Sequence, residues 1–416
     1  MSPTRVLSID VPKLHGGYTL AQGTTRVLFQ ACKGPVSLRE RISHFTWAWF
    51  TLTMSTGGIS NLLHEQPHQF TGLATIGKIV FIIFLVLLLF NLTMITLRFI
   101  LNPRALKSSL THSTESLFFP CMWLSLAVLL INIQAFGVPV SGPWLLTTLR
   151  VLFWTYFACT LVLGIGHYHL LFSAGKHMSI HSMTPSWTLP IFPVMLTGSI
   201  ASSISSNQPS ERRLSIITAG FACQGLGFCI SFIMTALYLG RLLINGLPAP
   251  KLRPGMFMIV GPPSFTALAL IGMANNIPRG HAYFAQHPMA VEVLQPLALV
   301  FSIFLWLFAF FFFGIATVAC IQGLQDLYWS LICWAFVFPN TGFAVATIAI
   351  GNQLDSEGIR WVGSIMTMLL VTMWLFNLAM QVRAIISKNM LWPGKDEDRD
   401  ELRHRKLDVK SSPFFS

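Results

Sequence analysis

The segment Phe336-Val337-Phe338-Pro339-Asn340-Thr341 lies in the middle of a long apolar stretch, residues 328–351. A proline inside a helix removes a backbone hydrogen bond and bends the helix. Membrane helices accept such a break where the freed backbone groups line a cavity or are satisfied by neighbouring helices. The segment therefore predicts a broken membrane helix, with an aromatic ring next to the break.

Similar apolar stretches occur along most of the chain. The 416 residues are 53% hydrophobic and 10% charged, with a mean hydropathy of +0.64, whereas soluble proteins carry about 25% charged residues. Windows of about 19 residues predict ten membrane spans, at 44–64, 75–101, 115–137, 143–172, 184–206, 213–245, 257–277, 290–321, 328–351 and 359–388. We therefore predict an all-α integral membrane domain at 44–388, between tails at 1–43 and 389–416.

The prolines in the interior of these spans fall in the odd-numbered ones. They are Pro120 in span 3, Pro190 and Pro193 in span 5, Pro262 and Pro263 in span 7, and Pro339 in span 9, while span 1 has Gly57 and Gly58 at the matching depth. Their spacing of about 70 residues indicates five related helical hairpins. We expect kinked odd helices to surround a central pore and straighter even helices to lie outside them.

The basic residues indicate the orientation of the spans. The chain has 27 Lys and Arg against 15 Asp and Glu, a net charge of +12. Most of the basic residues lie in or beside segments that share one side of the membrane with the N-terminus, and such segments are usually cytoplasmic. Because the span count is even, both termini are predicted to be cytoplasmic. Topology thus explains the positive charge, and we expect no nucleic-acid partner.

The polar side chains of the odd spans favour an anion as the transported species. A cation path normally carries rings of carboxylates, and acidic residues are nearly absent from these spans. Hydroxyl and amide groups can donate hydrogen bonds to an anion without a fixed charge. The candidate pore-lining residues are Ser55, Thr56, Ser199, Ser264, Asn340 and Thr341.

Two ionisable residues are candidates for contact with protons or anions. Arg150 lies several residues inside span 4, where it either anchors the helix by reaching toward the surface or attracts the anion. His44, at the start of span 1, is the best-placed group for carrying protons near neutral pH. The sequence has no zinc-protease, P-loop or serine-hydrolase motif, so we expect neither an enzyme nor a bound metal or cofactor.

Several motifs together carry a family resemblance. They are His44-Phe45-Thr46-Trp47 and Thr56-Gly57-Gly58 in span 1, Leu189-Pro190-Ile191-Phe192-Pro193 in span 5, Gln224-Gly225-Leu226-Gly227-Phe228 in span 6, Gly261-Pro262-Pro263-Ser264-Phe265 in span 7, and Phe336-Val337-Phe338-Pro339-Asn340 in span 9. In these motifs the chain resembles the fungal malic-acid transport proteins of the tellurite-resistance/dicarboxylate transporter family, which is related to the plant slow anion channels.

The resemblance implies a homotrimer in the lipid bilayer, in which each ten-helix protomer has its own pore. It also implies that a phenylalanine of span 9 occludes that pore; by motif position this residue is Phe338, with Phe336 as the alternative. The implied substrates are C4-dicarboxylates such as malate and succinate, moved across the plasma membrane with protons or as a channel-like flux. Efflux of sulfite or another small inorganic anion on the same fold is the alternative.

Overall fold

The computed structural model describes residues 38–112, 114–173, 179–281 and 283–392. Most of the two predicted tails lies outside these ranges. Every regular element in the described ranges is a helix, so the all-α prediction is confirmed. The α-helices are α1 (Leu38–Ser43), α2 (Phe50–His64), α3 (Leu73–Leu101), α4 (Pro103–Thr111), α5 (Pro120–Asn132), α6 (Pro143–Ser173), α7 (Phe192–Ile204), α8 (Ser210–Asn245), α9 (Gly261–Asn275), α10 (Tyr283–Gln286), α11 (Pro288–Gln322), α12 (Phe338–Gln353) and α13 (Glu357–Ile386).

Nine helical stretches in the described part of the chain are long and apolar enough to cross a membrane. They correspond to predicted spans 2 to 10, and the protein is therefore a multi-pass membrane protein. The first predicted span, 44–64, contains α2, which has 15 residues, preceded by the short 3₁₀-helix Trp47–Trp49. This helix is shorter than the other nine stretches, so the count of ten spans stays a prediction.

Five of the described α-helices follow a 3₁₀-helix directly or after a single residue. These helices are α2 after Trp47–Trp49, α5 after Glu115–Phe118, α7 after Pro185–Ile191, α9 after Pro250–Val260 and α12 after Leu331–Phe336. Four of these helices, α5, α7, α9 and α12, have proline in the first turn. At that position the missing N–H of proline costs no intrahelical hydrogen bond. The changes of helix type thus occur at Pro120, Pro193, Pro262 with Pro263, and Pro339, while Pro190 lies inside the preceding 3₁₀-helix.

Span 1 differs from this pattern. Its change of helix type is at Phe50, about two turns before the predicted break at Gly57 and Gly58, which lie within α2. A Cβ atom on Gly57 would lie 2.5 Å from Cγ1 of Val128, and one on Gly58 would lie 2.8 Å from Oγ1 of Thr341. The two glycines therefore allow α5 and α12 to approach α2 closely.

The five helices that follow 3₁₀-helices form a closed circuit of contacts, and we call them the ring helices. Helix α2 contacts α5, α5 contacts α7, α7 contacts α9, α9 contacts α12, and α12 contacts α2. The preceding 3₁₀-helices contact one another in the same cyclic order. The change from 3₁₀-helix to α-helix therefore occurs around one common axis.

The long helices α3, α6, α8, α11 and α13, here called the outer helices, pack around this ring. Each contacts two neighbouring ring helices; α3, for example, contacts α2 and α5, and α13 contacts α12 and α2. Their apolar windows are only 22–39% buried, compared with 61–89% for the spans that contain α5, α7, α9 and α12. Many of the exposed side chains on the outer helices are large and apolar, as expected for a surface in contact with lipid.

Candidate functional site

A small cavity lies inside the ring, where the helices change type. It is lined by Thr51, Met54, Cys121, Leu189, Phe192, Met258, Leu331, Ile332, Ala335, Phe338 and Pro339, which come from all five ring spans. Its volume is about 10 Å³, close to the minimum that one water molecule needs. A cavity of this size does not accommodate an organic anion.

Phe338 is one of the two phenylalanines in the cavity lining; the other is Phe192. Phe338 begins α12, and its side chain is 2% exposed. The carbonyl oxygen of Phe338 accepts a 2.7 Å hydrogen bond from Oγ1 of Thr341, and the backbone N–H of Thr341 donates to the carbonyl of Val337 at 2.9 Å. The backbone that carries the Phe338 ring is therefore held by local hydrogen bonds on both sides of Pro339.

Phe336, the alternative gate residue, does not belong to the cavity lining. Its ring centroid lies 5.2 Å from that of Phe257, and it packs against the hydrophobic cluster that contains Phe257, Phe312 and Phe343. The Phe336 carbonyl accepts a 2.9 Å hydrogen bond from Nδ2 of Asn340. Of the two phenylalanines named from the sequence, Phe338 is the one beside the cavity.

The six predicted pore-lining residues all lie within the described ranges, and none of them borders this cavity. Three of their hydroxyls donate to a backbone carbonyl three or four residues earlier: Thr56 to Leu52 at 2.8 Å, Ser264 to Val260 at 2.7 Å and Thr341 to Phe338 at 2.7 Å. Thr56 also accepts a 3.1 Å hydrogen bond from Nε1 of Trp374. Bonds of this kind are a usual way to accommodate a hydroxyl in an apolar helix.

The other three predicted residues have weaker or missing partners. Oγ of Ser55 lies 3.5 Å from the carbonyl oxygen of Trp334. Asn340 uses its Nδ2, but its Oδ1 is buried without a partner, and so is Oγ of Ser199. Buried polar atoms without a partner are exceptions in protein interiors. Among the six predicted residues, Ser199 and Asn340 are therefore the ones with a buried polar atom that lacks a partner.

Arg150 and His44 lie outside the cavity lining as well. Nη1 of the half-buried Arg150 is 3.5 Å from Oε1 of Gln208, and Nε2 of Gln208 donates to the carbonyl of Leu146 at 2.9 Å. This contact ties α6 to the segment between α7 and α8. His44 is half-buried just before the first 3₁₀-helix of the ring, and its backbone N–H donates to the carbonyl of Arg41 at 3.2 Å.

The sequence matches known proteins over the whole ring and nearly all of the outer helices. Residues 44–382 match the family described as voltage-dependent anion channel, SLAC1. The chain belongs to this family. The resemblance found in the motifs is thereby confirmed, and membership supports anion transport.

Two proteins of Schizosaccharomyces pombe are similar to this chain. A malic acid transport protein is 35% identical over 368 residues, which cover 87% of this chain and 83% of the relative. A putative malic acid transport protein is 33% identical over 374 residues, covering 89% and 86%. A sulfite efflux pump of Arthroderma otae is more distant, at 25% identity over 354 residues that cover 84% of this chain and 93% of the pump.

A phenylalanine directly before a kink proline is a candidate plug of the path, which points to Phe192 as well as Phe338, whereas no feature of the sequence marks Phe265. Phe192 lines the cavity and stands immediately before Pro193, just as Phe338 stands before Pro339. This shared Phe-Pro pair is the signal that finds Phe192. Phe265, whose ring packs against Phe338, follows Pro263 by two residues and gives no comparable signal.

Proposed function

We propose that this protein transports C4-dicarboxylate anions, malate foremost, along the axis of the ring helices. The observation that carries the proposal is the similarity to two proteins named for malic acid transport, at 35% and 33% identity over more than four-fifths of each chain. The closed circuit of five ring helices supports an axial path, because all five contribute to the cavity.

In this proposal Phe338 is the gate of the path. The cavity beside it is too small for malate, so the ring of Phe338 has to leave its position before an anion passes. The edge of an aromatic ring is electropositive, which makes phenylalanine a tolerable neighbour for an anion. Ser199 would donate a hydrogen bond to the passing anion, and Ser55, Thr56, Ser264, Asn340 and Thr341 would complete the polar lining once the path is open.

In this proposal the protein crosses the plasma membrane ten times, as five helical hairpins, with both termini in the cytoplasm. It works as a homotrimer in which each protomer has a separate pore. Arg150 anchors α6 through its contact with Gln208, and His44 is the candidate proton carrier if transport is coupled to protons. The positive charge of the segments assigned to the cytoplasmic side supports this orientation.

Reconstitution in liposomes tests the function. Uptake of labelled malate is measured together with membrane current, with and without an inward proton gradient, and with sulfite and chloride as competitors. Malate uptake driven by the proton gradient indicates a coupled symporter, whereas malate current that is indifferent to the gradient indicates a channel-like path. Absence of malate flux from a folded, correctly inserted protein contradicts the proposal.

Efflux of sulfite or another small inorganic anion is the second candidate. The similarity to a sulfite efflux pump over 84% of this chain favours it, and so does the small cavity, which requires less widening for a smaller anion. In the same liposomes, sulfite flux without malate flux would establish this alternative.

A further inference from the structure

The ring of Phe338 also packs against an aromatic ring that is not part of the cavity lining. Its centroid lies 5.3 Å from that of Phe265, and the two ring planes are tilted by 31°. Phe265 belongs to α9 and is 8% exposed, and it does not line the cavity. Phe338 therefore contacts both the cavity and the Phe265 ring.

Gly342 makes room for Phe265 against α12. A Cβ atom at position 342 would lie 2.8 Å from both Cε2 and Cζ of Phe265, closer than real Cβ atoms approach their neighbours. Gly342 follows Phe338 by four residues, and residues four apart lie on the same face of an α-helix. The missing side chain at position 342 thus allows the Phe265 ring to lie directly beside Phe338.

The local backbone restricts how Phe338 can leave the cavity. Its carbonyl is bonded to Thr341, and proline fixes the φ angle of residue 339. Withdrawal of the ring therefore requires rotation of the Phe338 side chain, and Phe265 occupies the space next to it. The contact between the two rings opposes this rotation.

We propose that Phe265 is a positioning residue that holds Phe338 in the closed position, and that Gly342 is required for Phe265 to do so. The inference rests on the proposed role of Phe338 as the gate. Phe265 acts only through Phe338 and does not touch the anion. A packed aromatic pair contributes enough free energy to shift an equilibrium by roughly two- to tenfold. Loss of the Phe265 ring should therefore raise the fraction of protein with Phe338 in the open position by roughly two- to tenfold.

The test compares anion flux through liposomes that contain Phe265→Ala, Phe338→Ala and the double variant, using malate and sulfite as probes. We expect Phe265→Ala to raise flux by roughly two- to tenfold and to add nothing to Phe338→Ala. Phe343→Ala is the matched control. Phe343 also belongs to α12 and is as buried as Phe338, but its ring packs against Trp306 and Phe313. We expect wild-type flux from this control.

Gly342→Ala tests the same contact from the side of α12. Its Cβ would displace the Phe265 ring from its place beside Phe338, so we expect higher flux, as in Phe265→Ala, and no further rise when Phe265→Ala is added in the same chain. If Phe265→Ala does not fold, Phe265→Leu removes the ring while keeping a large apolar side chain, and it should also raise flux.

The outcomes separate the two proposals. Unchanged flux in folded Phe338→Ala overturns the gate and this inference with it. Raised flux in Phe338→Ala with wild-type flux in Phe265→Ala and Phe265→Leu overturns this inference alone, and the gate remains. A double variant with more flux than Phe338→Ala shows that Phe265 acts independently of Phe338, which also overturns the inference.

Discussion

Arg98 of α3 and Glu115, at the start of the span that contains α5, form an ion pair whose side chains are only 10% and 13% exposed. Nη1 of Arg98 also donates to the carbonyl of Phe45 at 2.8 Å. Oγ of Ser109 donates to Oε1 of Glu115 and accepts from Nε1 of Trp47, each at 2.8 Å. This network joins the spans of α2, α3 and α5 to the short helix α4 at one end of the ring.

Removal of Arg98 should therefore destabilise the protein strongly. In Arg98→Met the Glu115 carboxylate, which is mostly buried, loses its arginine partner. Removal of one member of such a pair costs about 3–5 kcal/mol of folding free energy. Thermal melting of the detergent-purified variant measures the loss.

Arg104→Met, which removes an exposed arginine of α4, serves as the control and should melt like the wild type. The double variant Arg98→Met with Glu115→Leu should recover part of the loss; a double variant no more stable than Arg98→Met would contradict this account of the pair.

Gly57 should tolerate no side chain. A Cβ atom there would lie 2.5 Å from Val128 and 3.1 Å from Phe84, so we expect Gly57→Ala to cost about 1–3 kcal/mol through overpacking. Gly225→Ala is the control, since the structure places nothing within 4 Å of its Cβ position. This control should be neutral or slightly stabilising, because alanine favours the helix more than glycine does. Equal melting temperatures for the two variants would refute the packing role of Gly57.

The two span 9 phenylalanines should respond differently to truncation. Phe338→Ala removes a ring from the cavity lining, and we expect malate or sulfite flux in liposomes to rise several-fold. Phe336→Ala removes a ring that packs against Phe257 and should leave flux near the wild-type level. The reverse pattern, with normal insertion of both variants, would assign the gate to Phe336.

His44→Gln tests whether transport is coupled to protons through this residue. Histidine changes its charge between about pH 5 and 8, whereas glutamine keeps a similar hydrogen-bonding capacity without a charge. If His44 carries protons, the variant should lose most of the pH dependence of malate uptake while retaining the electrically driven flux. An unaltered pH profile would exclude His44 from that role.

The prolines allowed most of the ring to be anticipated from the sequence. Pro120, Pro193 and Pro339 lie in the first turn of their α-helices, close to the predicted breaks, because proline constrains its own backbone wherever it occurs. The break at Phe50 has no such residue and was missed. The role of Gly57 depends on how closely Val128 approaches it, which a single sequence does not show.

The polar lining was harder to predict because the ring helices are buried on nearly all sides. Helices α7 and α12 have few exposed positions, so no polar stripe marks the side that faces the axis. Whether a hydroxyl such as that of Ser264 bonds to its own helix or faces the cavity depends on its rotamer. The same limit explains why Phe265 was not identified: its contact with Phe338 joins the neighbouring ring helices α9 and α12, and a single sequence does not show this contact.

The outer helices are much longer than the bilayer requires. Helix α8 has 36 residues and α11 has 35, which at 1.5 Å per residue gives roughly 53 Å, against a hydrocarbon thickness of about 30 Å. These helices must tilt or project into the aqueous phase, whereas the ring inside them has little contact with lipid. A change in membrane thickness therefore acts first on the tilt of the outer helices. We expect acyl-chain length to affect the stability of the reconstituted protein more than its permeability.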